Sequence, residues 1–290
     1  MNIFIILLGL SINYFSKDIS SLRSFTWLNK IQQGFHPATK HLSPIAQLLI
    51  PLTLSILLLY IISTSIHTIA GPLFQWVLSV IVLLYCLGPE DLSDIRHISQ
   101  ANNDDEVISD IKKLIQAPLA TDQLSRNEQA IGGVFRIALQ RWFAVIFWFN
   151  LFGIYGAFAY RVCSVLSQQQ NHTAPTSSPS ELLQLQRLFE WPVAQLMTLA
   201  IALAANFDIV YKIWHQYHQK HGFKPSSGDY SYMLQAANIS IQGSKPAGVG
   251  ISNTLSGTSG TVQIALSLLY RILTVWLTLL VIILLASWLF

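Results

Sequence analysis

Apolar residues run in long blocks without a single Lys, Arg, Asp or Glu: from Lys40 to Glu90, and over 142–160, 191–207 and 272–290. A spanning helix needs about 20 mostly apolar residues, because bilayer hydrocarbon offers no partner to an unpaired backbone group. The blocks predict long spans at 44–66, 70–88, 142–163, 191–207 and 270–290. The opening run "MNIFIILLGLSI" has neither a basic start nor a small-residue cleavage site, and predicts a short retained membrane segment rather than a signal peptide. Pro51 inside the first long span predicts a kink, tolerated where neighbouring groups satisfy the freed carbonyl. The expected fold is all-α: a polytopic helical membrane protein with five long spans, a short N-terminal membrane segment and amphipathic cytoplasmic helices.

The polar stretches divide the chain further. Residues 1–88 hold the N-terminal segment, an amphipathic helix with Leu22, Phe25, Leu28 and Ile31 at helical spacing, and the first two long spans. Residues 89–141 read as a cytoplasmic helical region. There Asn103 and Glu106 have capping-box spacing, and Ser125 with Glu128 opens a helix that runs through Arg136 and Arg141 into the span at 142. Residues 142–207 hold two spans joined by the uncharged polar linker 167–180, after which a short helix, 181–189, stops at Trp191-Pro192. Residues 208–269 begin as a polar helix and close in the small-residue run "GSKPAGVGISNTLSGTSGT", which lacks the ending of a phosphate-cradling loop. The last span fills 270–290.

Composition agrees: 52% of the 290 residues are hydrophobic and 11% charged, against roughly 25% charged in a soluble domain. The 17 basic residues fix an orientation. All but Arg161 and Arg187 fall in alternate loops, around Lys17–Lys40, Arg96–Arg141 and Lys212–Arg271, and Lys and Arg are retained on the cytoplasmic face. The long loops are therefore expected inside the cell. The net charge of +3 reflects this topology, and no basic tract is dense enough for nucleic acid. Cys86 and Cys163, both within spans and without a CxxC partner, read as packing residues with no disulfide and no metal.

Candidate chemistry collects at the mouths of the spans. In "YCLGPEDLSDIR", Pro89, Glu90 and Asp91 suit the first turn of a helix, but Asp94 repels Glu90 at i to i+4 spacing, so a basic partner or bound cation is the alternative to plain capping. In "AANFDIVYK", Asn206 and Asp208 leave the fourth long span; Asp208 and Lys212 have the order of a helix pair. Together with Asp91, Asp94, Arg136 and Arg141 they form one candidate polar cavity, since polar groups at that depth are costly unless paired or used. "WHQYHQKH" spaces His215, His218 and His221 by three; one helix rarely supplies a zinc site, and solvated residues are the reading preferred. In "RWFAVIFWFNLFGIYGAFAYR", Trp142 and Tyr160 fit an interfacial belt and Gly153-x-x-Gly156 fits close helix approach. Asn150 wants a partner in mid-membrane, and Arg161 has the reach to snorkel. No nucleophile, base and orienter stand at motif spacing, so no catalytic residue and no cofactor is assigned.

Four stretches, "YCLGPEDLSDIRHISQANNDDEVISDI", "RWFAVIFWFNLFGIYGAFAYRV", "FEWPVAQLMTLAIALAANFD" and "YRILTVWLTLLVIILLASWLF", resemble the AmpE family of bacterial inner-membrane proteins, within a wider group that includes the CobD/CbiB cobalamin-assembly proteins. The resemblance implies a membrane sensor or regulator linked to β-lactamase induction, antibiotic response and cell-wall recycling. It implies as partners the lipid bilayer and a cell-wall fragment or a protein of the recycling pathway. Of the family's polar positions, Asp91, Arg141, Tyr160, Arg161, Asn206 and Asp208 are present. Asn13-Tyr14 stands where relatives carry Glu-Arg, and Pro192-Val193-Ala194-Gln195-Leu196 where they carry Pro-x-Arg-Leu. Where CobD-like synthases have a Glu-Asn and Asp constellation and an Asn-Thr-Leu-Asp run, this chain reads "RWFAVI" and "CSVLSQ", without the carboxylates to hold Mg²⁺. A CobD-like transferase and a transporter or flippase for a cell-wall-derived or lipid-linked substrate are the competing expectations.

Overall fold

The computed structural model describes residues 2–15, 27–28, 44–87, 109–112, 120–173, 181–224, 230–243 and 258–289. Among them there is no strand. The chain divides into two compact units. The first comprises Met1–Pro89 with Gln140–Glu190, the second Glu90–Leu139 with Trp191–Phe290. Nine α-helices are described: α1 (Asn2–Phe15), α2 (Pro44–Ala70), α3 (Pro72–Leu87), α4 (Gln123–Ala138), α5 (Ala144–Thr173), α6 (Glu181–Ala204), α7 (Phe207–His221), α8 (Ser231–Gly243) and α9 (Thr258–Leu289).

In the first unit α1 and α2 each pack on α3 and α5, and α3 packs on α5. Ile3, Ile6, Gly9 and Asn13 recur at helical spacing and form the buried stripe of α1. A Cβ on Gly9 would lie 2.9 Å from Leu83 Cδ2, so glycine is what lets α1 and α3 meet there. The α2–α3 hairpin turns on one residue. Gly71 takes φ 81° just past α2 and Pro72 opens α3, the glycine-then-proline punctuation that ends one helix and starts the next. Helix α2 continues through Pro51, and the Ser55 hydroxyl donates to the Pro51 carbonyl at 2.5 Å.

In the second unit α4 packs on α8 and α9, α7 on α8, and α8 on α9. Ile131, Val134, Phe135 and Ala138 give α4 its buried face against a core to which α9 contributes Val262, Ala265, Leu269 and Ile272. The expected helix around Ser125 is present, but Asp122 caps it, accepting from Ser125 N at 3.2 Å and from the Ser125 hydroxyl at 3.3 Å. One turn of π-helix, Leu139–Phe143, then links α4 to α5.

Among the described residues, three helical stretches are long and apolar enough to cross a membrane: Ile50–Ile69, Gln123–Ser167 and Thr258–Ile283. They overlap the expected spans at 44–66, 142–163 and 270–290 without sharing their bounds. The expected span at 70–88 is the shorter apolar helix Pro72–Leu87, the N-terminal run gives Ile3–Asn13, and 191–207 lies largely in α6. Large apolar side chains face outward along these helices, among them Ile69 at 86% exposure and Leu73 at 77%, a surface that fits contact with a bilayer and not with water.

Several expectations are corrected. Residues 167–173, expected as linker, continue α5 as helix. Helix 181–189 does not stop at Trp191-Pro192, because α6 runs from Glu181 to Ala204 with Pro192 inside it. Proline removes one helical hydrogen bond and crowds the carbonyl four residues back; beside that defect, the Trp148 indole donates to the Phe189 carbonyl at 3.2 Å, giving it a partner from α5. Gly153 does not serve helix approach: it bends α5 at φ 64°, ψ −147°. A Cβ on Gly156 would meet the Trp148 carbonyl at 2.5 Å and Phe152 Cβ at 2.7 Å, so both glycines accommodate α5 folding on itself. The amphipathic stripe of Leu22, Phe25 and Ile31, the Asn103/Glu106 cap and the small-residue run 244–257 lie outside the described residues.

Candidate functional site: two polar networks on one helix

The first network sits in an apolar interior of the first unit. Tyr160, Cys163, Ser164 and Ser167 occur along α5 at intervals of three and four, and Gln186 and Glu190 are four apart on α6, so each set lies along one helix face. The two faces meet. The Tyr160 hydroxyl stands 3.2 Å from Glu190 Oε1 and 3.0 Å from the Gln140 carbonyl; one phenolic hydrogen serves two acceptors. Gln186 Nε2 donates to Glu190 Oε1 at 2.6 Å, and Ser167 donates to Gln186 Oε1 and to the Ser164 carbonyl, the latter at 2.9 Å. Glu190 is 1% exposed. Buried polar groups hold their place best when hydrogen-bonded, and here Tyr160, Ser167, Gln186 and Glu190 are tied to one another or to a backbone carbonyl, while the buried Ser164 hydroxyl has no partner among the described residues.

Arg161 follows Tyr160 and is 4% exposed, so it is held inside rather than snorkelling outward; its charge reaches Tyr85 and Cys86 of α3. Tyr85 in turn accepts from the Trp27 indole at 2.7 Å, and Trp27 stacks on Phe158 with ring centres 6.3 Å apart. A carboxyl and a guanidinium are thus both sealed inside one unit, where each is expensive. Trp142 and Tyr160, expected as an interfacial belt, are both buried, because their polar atoms sit on faces of the helix that turn inward.

The second network lies in the second unit, on the next turns of α6. The Trp214 indole donates to Gln195 Oε1 at 2.6 Å, Gln195 Nε2 meets His218 Nε2 at 3.0 Å, and His218 Nδ1 meets the Trp214 carbonyl at 2.8 Å. A carbonyl accepts only, so the hydrogen belongs on Nδ1, and Nε2 then accepts from the amide. The ring of donors and acceptors closes with His218 as the neutral Nδ1–H tautomer. Trp214, Phe223 and Tyr232 pack on the imidazole with ring centres 4.7, 4.3 and 5.3 Å away. His218 is therefore a buried structural histidine and not a solvated one, while His215 and His221 are exposed and bond within their own helix to Gln219 and the Tyr217 carbonyl.

The other residues singled out from sequence fall as follows. Asn206 caps α7, its Oδ1 accepting from Ile209 N at 3.4 Å, and Asp208 is exposed in the first turn of that helix, where the helix dipole favours an acid. Arg136 is exposed in the last turn of α4, and Arg141 is half-buried in the π-helical turn. Asp91 and Asp94 lie outside the described residues. Sequence reasoning picked out Tyr160 and Arg161 but passed over Gln186, Glu190, Gln195 and the role of His218. The available signal was the i, i+4 pair Gln186/Glu190 facing the Tyr160/Ser164/Ser167 stripe, two polar lines on helices otherwise apolar. Comparison with family models, with curated proteins and with solved structures finds no match to this chain.

Proposed function

We propose that the chain is a non-enzymatic regulatory protein of the bacterial inner membrane, of the AmpE type, which modulates β-lactamase induction and is linked to cell-wall recycling. On this reading it threads the bilayer with five long spans and a short N-terminal segment, and its long loops lie in the cytoplasm. The charge-free blocks and the distribution of Lys and Arg support the topology.

The observation that carries the regulatory reading is the buried network of Tyr160, Ser167, Gln186 and Glu190 joining α5 to α6. A buried carboxyl held by a phenol and an amide has few alternative partners. A cell-wall fragment or protein partner that favours an arrangement lacking these bonds must therefore move α6 against α5 in a discrete step. A switch of this kind responds only to a ligand that binds its two states unequally.

The test is genetic and quantitative. Deleting the gene is expected to alter β-lactamase induction or the pool of cell-wall fragments. Glu190→Gln, expressed at matched membrane levels, is expected to keep the fold and shift the induction threshold. Unchanged induction and unchanged fragment pools in the deletion strain would overturn the regulatory reading.

A further inference from the structure

Where α6 hands over to α7, the second unit carries a groove of about 310 Å³. Leu196, Leu199 and Ala202 of α6 form one wall, and Phe207, Tyr211 and Trp214 of α7 the other. Its size is at the lower end of the roughly 300–1,000 Å³ typical of small-molecule sites, too small for a sugar-peptide and suited to one slender chain. The polar side-chain groups of Gln195, Thr198 and Trp214 that line it already have partners. Gln195 receives the Trp214 indole and donates to His218, and the Thr198 hydroxyl donates to the Ala194 carbonyl at 2.8 Å. A polar occupant would find little to bond with, whereas a hydrocarbon would lose nothing there.

Three features of the same unit identify the hydrocarbon. Leu196, Leu199 and Leu203, at spacings of three and four, stand exposed along α6 and extend the groove's lip as an apolar strip. Helix α9 is of spanning length and exposes Leu279, Ile282 and Ile283, so this unit already presents surface fitted to acyl chains. Helix α7 combines exposed Phe207 and Tyr211, whose rings stack 5.9 Å apart, with exposed Lys212 and Lys220 against the single acid Asp208. Aromatics with excess lysine are the composition of a helix lying at the headgroup level of an anionic membrane.

We infer that the α6–α7 groove is a lipid site that seats one acyl chain of an anionic phospholipid. Gln195 and Trp214 line it with their polar atoms bonded to each other and to His218, which leaves them little to offer water. The inference rests on the membrane reading above but not on the regulatory one.

The test reconstitutes the full chain in nanodiscs of phosphatidylcholine doped with phosphatidylglycerol carrying a photoactivatable group on one acyl chain. Adducts mapped by mass spectrometry are expected to concentrate within 195–214. Leu199→Trp, which fills the groove, is expected to reduce them roughly tenfold, the factor given by about 1.4 kcal/mol of lost contact. Labelling of Ile282 and Ile283 serves as the control and should not change. Ala202→Leu is the second variant, should the tryptophan disturb folding. Adducts spread evenly over outward-facing residues and indifferent to both variants would overturn the site. Equal labelling by a phosphatidylcholine probe would overturn its preference for anionic lipid. Labelled α9 with a bare groove and a cross-linked dimer would give the groove to a second copy of the chain. No labelling of α9 either would instead sink the membrane reading.

Discussion

Glu190 and Gln195 lie five residues apart on α6, yet they anchor networks of different kinds. Around Glu190 a carboxyl sits among Tyr160, Gln186 and the Gln140 carbonyl, with its surroundings sealed. Around Gln195 every member is neutral, and the ring closes on itself at the edge of an apolar groove. The contrast shows two uses of polar side chains in apolar surroundings. A charged group must be caged by several partners, which makes the cage the costly and discrete feature. A neutral amide needs only one donor and one acceptor, which leaves the adjoining surface clean for hydrocarbon.

The largest effect should come from breaking the cage. Glu190→Ala leaves the Gln186 amide without its buried acceptor and the Tyr160 hydroxyl with the Gln140 carbonyl alone, with an expected loss of about 3 kcal/mol. Cys86 and Cys163 are buried free thiols, so thermal unfolding in detergent can be followed with a thiol-reactive dye. Gln195→Leu removes one acceptor and one donor from uncharged partners and should cost about 2 kcal/mol. If the order reversed, the carboxyl would not be the more tightly held group. Asp122→Ala, which touches neither network, removes the α4 cap and is expected to cost about 1 kcal/mol. Asp208→Ala, at an exposed position, should stay within about 0.5 kcal/mol in the same assay.

A sharper contrast concerns glycine. Gly132→Ala brings its Cβ no closer than 3.9 Å to Leu234 Cδ1 and should be neutral or slightly stabilising. Gly156→Ala drives a Cβ against the Trp148 backbone and should disturb α5 at its bend, lowering the midpoint of the same melt.

The helical class and the placement of the long apolar helices were legible in the sequence, because hydrocarbon enforces itself as an absence of charge over about 20 residues. The Ser125 region was legible as a helix start because capping is local, although Asp122 took the role. What could not be read was which face each polar residue would turn, and toward what. Tyr160 and Trp142 carry the composition of a membrane-interface belt, and only the packing of α5 and of the π-helical turn before it shows them buried. Gly153 and Gly156 have the spacing of a helix-contact motif, but the positive φ at Gly153 is a property of the folded backbone. Gln186 and Glu190 were overlooked because their partners lie 19 and 30 residues away, at Ser167 and Tyr160 on another helix. His218 looked solvated because its ring partners include Gln195, 23 residues earlier.

The proposed topology, repeated crossing of the bilayer with the long loops in the cytoplasm, underlies both the regulatory proposal and the lipid site. It is tested most directly by placing single cysteines at Asn103 and Ser226 and treating intact cells with a membrane-impermeant maleimide. Neither position should react until the inner membrane is opened. Labelling of either one from the periplasm would contradict this topology.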